Sequence, residues 1–136
     1  MTTVTKAVTF DAAHILTNHN GLCKNLHGHT YRVEADVTAT DASADMVIDF
    51  KDLKTLLHKE ICDVFDHAFI YNTTSAGERE IAEVGARHGL RVVPIPFRST
   101  AENLARLFFD RLAPQIPGLS AVRVWETASN RAEYRP

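Results

Sequence analysis

HTYRVEADVT, residues 29–38, alternates between one row that reads His, Tyr, Val, Ala, Val and a second row of polar side chains. Because successive side chains of a β-strand point to opposite faces, this alternation predicts a strand that buries one face. The segment from Val4 to Phe10 alternates with threonines in the same way and predicts an earlier strand. Half-buried strands are typical of antiparallel sheets, and sequential strands usually pair. The sequence therefore predicts an antiparallel pair of strands.

Apolar residues recur at helical spacing in three segments that follow this pair. The predicted helices lie near 50–65, near 76–88 and from Ser99 onward. The last two begin with the capping-box pattern, Ser75 with Glu78 and Ser99 with Glu102. Further short strands are predicted at residues 46–50, 90–95, 121–127 and 131–134.

The order of these elements predicts an α+β protein with an antiparallel sheet. A chain of 136 residues can bury one sizeable core, and no repeat or low-complexity linker divides it. We therefore expect a single domain that spans residues 1–136.

Composition argues against several classes of protein. The formal net charge is −2 and the lysines and arginines form no run, so the basic surface of a nucleic-acid-binding protein is absent. No apolar run reaches membrane-spanning length, and the N-terminal MTTVTKAVTF alternates instead of forming the apolar block of a signal peptide. We expect a cytoplasmic protein that binds a small molecule, without a nucleic-acid or membrane partner.

Three histidines are candidate metal ligands. His27 and His29 are two residues apart, so on an extended segment both side chains lie on one face. His14 ends the first predicted strand and lies beside them if the two strands pair. Three imidazoles with an open fourth position form the arrangement that leaves zinc free to polarise a substrate oxygen. The sequence therefore predicts a zinc site, although surface His-x-His pairs are also common.

Cys23 precedes His27 by four residues and has two interpretations. It can be a fourth ligand that closes a structural metal centre, or a thiolate base beside an open site. An inert thiol is disfavoured by the polar neighbours Lys24 and Asn25, and it is the expected state of Cys62, which lies in a helical pattern. Spacing does not decide between the first two.

The dipeptide Asp66-His67 directly follows the first predicted helix. Asp66 can simply end the helix where His67 starts a strand. Alternatively, the carboxylate raises the basicity of the imidazole, which then serves as an acid or base near neutral pH.

Glu126 continues the face of a predicted strand on which Val122 and Val124 point to the core. A carboxylate in such a row needs partners if it is buried. Either the strand frays into solvent at this point, or Glu126 receives a ligand with paired N–H donors.

Six motifs together resemble the family of 6-pyruvoyl-tetrahydropterin and 6-carboxy-tetrahydropterin synthases. They are FDAAH at 10–14, CKNLHGH at 23–29, MVIDFKDLK at 46–54, FDHAFIYN at 65–72, STAENLA at 99–105 and WET at 125–127. They stand in the family order and span nearly the whole chain. The segment between Asn72 and Ser99 is longer than in the shortest members.

The resemblance implies a tunnelling fold, with two main helices on one face of an antiparallel sheet. It also implies a homo-oligomer, commonly a hexamer, in which the sheets join into a barrel and active sites lie at subunit interfaces. Each candidate residue receives a role: zinc ligands His14, His27 and His29; catalytic base Cys23, with the pair Asp66 and His67; pterin anchor Glu126; pocket residue Thr100.

The family substrate is 7,8-dihydroneopterin triphosphate. We expect a lyase that forms 6-carboxy-5,6,7,8-tetrahydropterin, acetaldehyde and triphosphate on the route to queuosine and other deazapurines. This preference rests on what is usual in the family. Short compact chains without an N-terminal extension resemble the bacterial members, and the carboxy product is the usual one among these. The alternatives are a 6-pyruvoyl-tetrahydropterin synthase, which keeps every carbon on the pterin, and a non-catalytic zinc-binding or pterin-binding protein.

Overall fold

A computed structural model describes residues 1–136 and contains six strands. They are β1 (Thr3–His14), β2 (His27–Thr38), β3 (Ala68–Asn72), β4 (Val92–Ile95), β5 (Leu119–Trp125) and β6 (Arg131–Tyr134). All six belong to one sheet, in the order β4-β3-β1-β2-β5-β6. The two longest strands therefore lie at its centre.

The predicted antiparallel pair is β1 with β2, which match residue for residue from Thr3 opposite Thr38 to His14 opposite His27. β5 joins β2, and β6 joins β5, both in antiparallel orientation. β3 and β4 add parallel pairings at the other edge, which makes the sheet mixed. A helical connection precedes each of these two strands, and such crossovers are what parallel neighbours require.

Four α-helical segments connect or cover the strands: α1 (Phe50–Leu57), α2 (Asp63–Phe65), α3 (Ala76–Arg87) and α4 (Ala101–Leu112). A π-helical segment, His58–Cys62, joins α1 to α2, so the predicted helix near 50–65 is one continuous body. The predicted strand at 46–50 is wrong. Asp49 instead accepts a hydrogen bond from the Lys51 N–H at 2.7 Å and caps α1. None of the helices is both long and apolar enough to cross a membrane.

The hydrophobic core lies between one face of the sheet and the helices α1 and α4. Tyr31 and Val33 of β2 are fully buried on this face, and the ring of Phe10 stacks on Tyr31 at 5.1 Å between centroids. Phe65 and Phe108 bring the helices onto the same cluster, with their ring centroids 5.2 Å apart. The core thereby packs against the central strands that contain the three histidines.

Candidate active site

The pairing of β1 with β2 brings the three predicted histidines together. His14 and His27 are register partners at the end of the pair, and His29 follows two residues later on the same face of β2. Their ring centroids are 4.6 to 5.2 Å apart, and one nitrogen from each ring lies within 4.8 Å of the others. Three convergent imidazoles could hold one metal ion.

Two backbone carbonyls orient the rings of His14 and His27. His14 Nδ1 lies 2.8 Å from the carbonyl oxygen of Ser99, and His27 Nδ1 lies 2.7 Å from that of Asn25. A carbonyl oxygen only accepts, so both Nδ1 atoms carry the proton and donate it. In the tautomer that binds a metal the two Nε2 atoms are then bare, and they face each other at 3.1 Å.

This arrangement fits a bound cation. Two lone pairs repel at that distance, whereas two nitrogen ligands at about 2.0–2.1 Å from one tetrahedral zinc ion lie roughly 3.3 Å apart. His29 Nε2 is also buried without a hydrogen-bond partner. Donation of the second ring nitrogen to a carbonyl is the usual support of metal-bound histidine.

Burial favours the neutral form of His14 and His29. It lowers the pKa of His14 to about 4, against the opposing effect of the Ser99 carbonyl contact, and the nearby His27 and His29 lower it further. Burial also lowers the pKa of His29, although the carboxylate of Glu126 raises it. Near pH 7 both rings therefore present lone pairs, as a metal requires.

Ser99 was assigned the wrong role by sequence reasoning. The N-cap of α4 is Thr100, whose hydroxyl accepts from the Asn103 N–H at 3.2 Å, and the helix begins at Ala101. Ser99 is instead fully buried, and its hydroxyl lies 3.1 Å from His14 Nδ1 in addition to the carbonyl contact. Both Ser and Thr are good caps, so the sequence alone could not show which of them was free for this contact.

Glu126 immediately follows β5 and lies beside the histidines. Its Oε2 is 3.7 Å from His29 Nε2, and its side chain makes no hydrogen bond. The backbone is held, because the Glu126 N–H donates to the Asn130 carbonyl at 3.1 Å, so the strand end does not fray here. Glu126 and Thr100 border one cavity of about 340 Å³. An unpartnered carboxylate in such a cavity can accept paired N–H donors from a ligand.

Cys23 lies apart from the metal cluster. It is the middle residue of a short 3₁₀ helix, Leu22–Lys24, and it is half-buried. The group of possible metal ligands contains the three histidines and no sulfur. The geometry thus favours the three-ligand interpretation and leaves the thiol free to react.

Asp66 and His67 form a pair, with His67 Nδ1 3.0 Å from Asp66 Oδ2. The Asp11 N–H donates to Asp66 at 2.9 Å, and this contact, followed by the one to His67, lowers the pKa of Asp66. His67 has a φ of 59°, a left-handed conformation that costs energy in a residue other than glycine. Strain of this kind is frequent at functional sites.

The pair makes no direct polar contact with the other candidate residues of the chain. It makes no hydrogen bond or ion pair with the three histidines or Cys23, and the His67 side chain is 78% exposed. His67 borders a cavity of about 640 Å³ together with Gly28, His29 and Thr30. Gly28 and Thr30 lie on the face of β2 opposite the histidine ligands, because strand side chains alternate.

Comparisons with known proteins agree with this fold. A sequence model of the family described as 6-pyruvoyl tetrahydropterin synthase matches residues 3–136. Among solved structures, an uncharacterized protein from Wolinella succinogenes has a TM-score of 0.80 at 20% identity, covering 98% of this chain and 97% of that one. The 6-pyruvoyl tetrahydropterin synthase of Caenorhabditis elegans has a TM-score of 0.70 at 24% identity, covering 99% and 95%. The predicted tunnelling fold of the chain is confirmed.

Two relatives are more similar in sequence. A 6-carboxy-5,6,7,8-tetrahydropterin synthase of Haemophilus influenzae is 41% identical over 137 residues, which cover 97% of this chain and 97% of the relative. A protein of the same name from Aquifex aeolicus is 37% identical over 123 residues, which cover 83% of this chain and 75% of the relative.

Proposed function

The chain belongs to the 6-pyruvoyl tetrahydropterin synthase family, and on that premise we propose that it catalyses the reaction of a 6-carboxy-5,6,7,8-tetrahydropterin synthase. The substrates are 7,8-dihydroneopterin triphosphate and water, and the products are 6-carboxy-5,6,7,8-tetrahydropterin, acetaldehyde and triphosphate. The relative that is 41% identical over 97% of both chains supports this choice of product. The structural observation that carries the proposal is the cluster of three histidines beside the unpartnered carboxylate of Glu126.

Zinc is the proposed cofactor, and His14, His27 and His29 would hold it. Neutral imidazoles suit zinc, and the bare Nε2 atoms of His14 and His27 already face each other. A zinc ion bound there supplies a Lewis acid that polarises an oxygen of the substrate side chain.

The remaining candidate residues divide the binding and the acid–base work. Glu126 holds the pterin ring by accepting two hydrogen bonds, from the ring amide N–H and from the adjacent amino group, and Thr100 lines the same cavity. Cys23, as a thiolate, removes a proton from a carbon of the substrate side chain. His67, oriented by Asp66, exchanges a proton elsewhere on the substrate.

We propose that the working form is a homo-oligomer, a hexamer, with the catalytic site at a subunit interface. The observation behind this is that the exposed His67 makes no hydrogen bond or ion pair with the three histidines or Cys23, although it borders one cavity with His29, so a second subunit could complete the site. The active protein is proposed to be a single cytoplasmic domain, residues 1–136, on the route to queuosine, without nucleic-acid or membrane partners.

Two alternatives to the proposed reaction can be tested against it. A 6-pyruvoyl tetrahydropterin synthase would use the same residues, since both reactions begin with removal of a side-chain proton and loss of triphosphate. A non-catalytic zinc protein with Cys23 as a fourth ligand is disfavoured, because the thiol lies outside the metal cluster.

The decisive experiment measures carbon balance. The purified zinc-loaded protein is given dihydroneopterin triphosphate without reductant, in the presence of an aldehyde trap, and the pterin is identified by mass spectrometry. We expect acetaldehyde and a 6-carboxy pterin in equal amounts. A pterin that keeps its three-carbon side chain, with no trapped aldehyde, would establish the pyruvoyl reaction, and absence of turnover would favour the binding protein.

A further inference from the structure

The loop that carries Cys23, residues 15–26, is tied to a distant part of the chain by one side chain. Thr17 Oγ1 donates to Glu78 Oε2 at 2.5 Å and lies 3.3 Å from the hydroxyl of Ser75. The other hydrogen bonds of the loop run between its own residues or reach His27. Thr17 is therefore the hydrogen-bonded anchor of the loop on helix α3.

Glu78 is an unusual partner for this anchor. It lies in the first turn of α3 and is only 2% exposed, and no lysine or arginine pairs with it. Its Oε1 accepts from the Asn72 N–H at 3.1 Å and its Oε2 from Thr17. Burying a carboxylate without a cation is costly, and here two donors and the positive end of the helix dipole offset the cost.

The expected capping box does not close at this helix. The Ser75 hydroxyl accepts from the Glu78 N–H at 3.3 Å, as predicted, but the Ser75 N–H donates to the Asn72 carbonyl and not to Glu78. The carboxylate is consequently released from the local capping role. It is available for Thr17, 61 residues earlier in the chain.

The contact between Thr17 and Glu78 is connected to Cys23 through one backbone hydrogen bond. Leu16, next to Thr17, donates its N–H to the Cys23 carbonyl at 2.9 Å, which closes the loop on itself. Three residues before Thr17 is the proposed zinc ligand His14. The hydrogen bond from Thr17 to Glu78 thus fixes the part of the loop that connects the metal cluster to Cys23.

We propose that Glu78 is a positioning residue, which acts through Thr17 to hold Cys23 at a fixed place relative to His14, His27 and His29. The inference rests on the proposed function, in which Cys23 is the base. A charge-assisted hydrogen bond is stronger than a neutral one and shorter, which suits a carboxylate in this role. α3 would then contribute to catalysis although it touches no substrate group.

The first test replaces each partner in the zinc-loaded protein. Glu78→Gln keeps the shape but offers only one accepting oxygen to two donors, and Thr17→Val removes the hydroxyl. For both we expect kcat to fall about tenfold or more with a smaller change in KM, since misplacement of a reacting group by about 1 Å can cost ~100-fold. Zinc content should stay at the wild-type value, and Thr17→Ser, which keeps the hydroxyl, should restore kcat.

The second test follows the thiols directly and needs no substrate. Iodoacetamide labelling of Cys23 and Cys62 is measured separately by peptide mass spectrometry. In Glu78→Gln and Thr17→Val, labelling of Cys23 should accelerate about fivefold, the increase in local opening expected from loss of one hydrogen bond. The buried Cys62, only 5% exposed, should label as in the wild type, which separates loss of positioning from general unfolding.

Glu83→Gln is the matched control, because Glu83 is exposed on the same helix. It should leave kcat and both labelling rates unchanged. Wild-type labelling of Cys23 in both variants, or equal acceleration at Cys62, would overturn the inference, as would a Thr17→Ser variant as slow as Thr17→Val. If the wild type turns nothing over, the proposed function fails, while the labelling experiment still decides whether Glu78 positions Cys23.

Discussion

His14 Nε2 and His27 Nε2 face each other at 3.1 Å, while the Nδ1 atom of each ring is bonded to a backbone carbonyl. Both supporting carbonyls belong to loops of the chain itself, at Ser99 and Asn25. The rings are therefore oriented by the fold itself, and their lone pairs are directed at one point before any ligand arrives. A preformed cluster of this kind binds metal without paying for reorganisation of its ligands.

The first prediction concerns the metal. His27→Ala removes one of three converging nitrogens, so metal affinity should fall by more than the roughly 10–100-fold that loss of a supporting contact costs. Metal per chain, measured by elemental analysis after dialysis, should drop to a small fraction of the wild-type value. His88→Ala is the control, because His88 is exposed at the end of α3. Full zinc occupancy in the His27 variant would show that the ligands are misassigned.

Local periodicity was enough to predict most of the fold. The alternation in 29–38 and the pairing of successive strands led to the central β1–β2 pair, and the short strand at 131–134 has the predicted bounds. The parallel addition of β3 and β4 was missed, because strand direction depends on where each helix returns the chain. Residues 46–50 were also misassigned, since Val47 and Ile48 pack on the core without strand pairing.

The candidate site was predictable to the extent that it follows from strand register. Two histidines two residues apart and a third on the neighbouring strand must converge once the strands pair. The support from Ser99 was not predictable, because it lies 85 residues from His14 and depends on how α4 approaches the sheet. The backbone conformation of His67 was likewise not predictable, because no sequence period reveals its left-handed φ of 59°.

The second prediction separates the two interpretations of the thiol. Cys23→Ala should retain wild-type zinc, because the sulfur is outside the group of possible ligands. Turnover should fall about 100-fold or more, the usual scale for loss of a positioned acid or base. Cys62→Ala is the matched control, since its thiol is buried in the core and its one hydrogen bond, to the Thr9 carbonyl, lies outside the metal cluster. Zinc loss comparable to that of a histidine variant would favour the four-ligand site.

The third prediction tests the pterin anchor. Glu126→Gln replaces a doubly accepting carboxylate with an amide that accepts through one oxygen only. Loss of a charge-assisted hydrogen bond costs about 1.5–3 kcal/mol, so pterin affinity measured by calorimetry should fall more than tenfold at constant zinc content. Glu102 borders the same cavity from an exposed position, so Glu102→Gln is the control and should change pterin affinity little. Equal affinity in the Glu126 variant and the wild type would remove Glu126 from the pterin site.

The polar face of the sheet contains a bidentate ion pair between Arg123 and Asp36. Arg123 donates to both oxygens of Asp36, at 2.8 and 2.5 Å, and Thr5 donates to the same carboxylate at 2.6 Å. Asp36 is only 4% exposed, so few water molecules compete with these donors. The hydrogen bonds from Arg123, and then that from Thr5, lower the pKa of Asp36 against the opposing effect of burial.

The last prediction follows from the sign of that shift. Because the folded-state pKa of Asp36 lies below its unfolded value of about 3.9, the pair contributes stability above that pH and loses it as the pH falls through the folded-state pKa. Asp36→Asn should therefore lower the free energy of unfolding at pH 7 by about 3 kcal/mol. This value is the lower end of the range for breaking a buried ion pair, because Arg123 also pairs with Glu133, at 2.7 Å. Urea unfolding at fixed protein concentration should show this difference at pH 7 and a smaller one at pH 3. Asp110→Asn, at an exposed site on α4, should change stability by less than about 0.5 kcal/mol at either pH. A difference between Asp36→Asn and the wild type that stays constant from pH 7 to pH 3 would contradict the role given to this carboxylate.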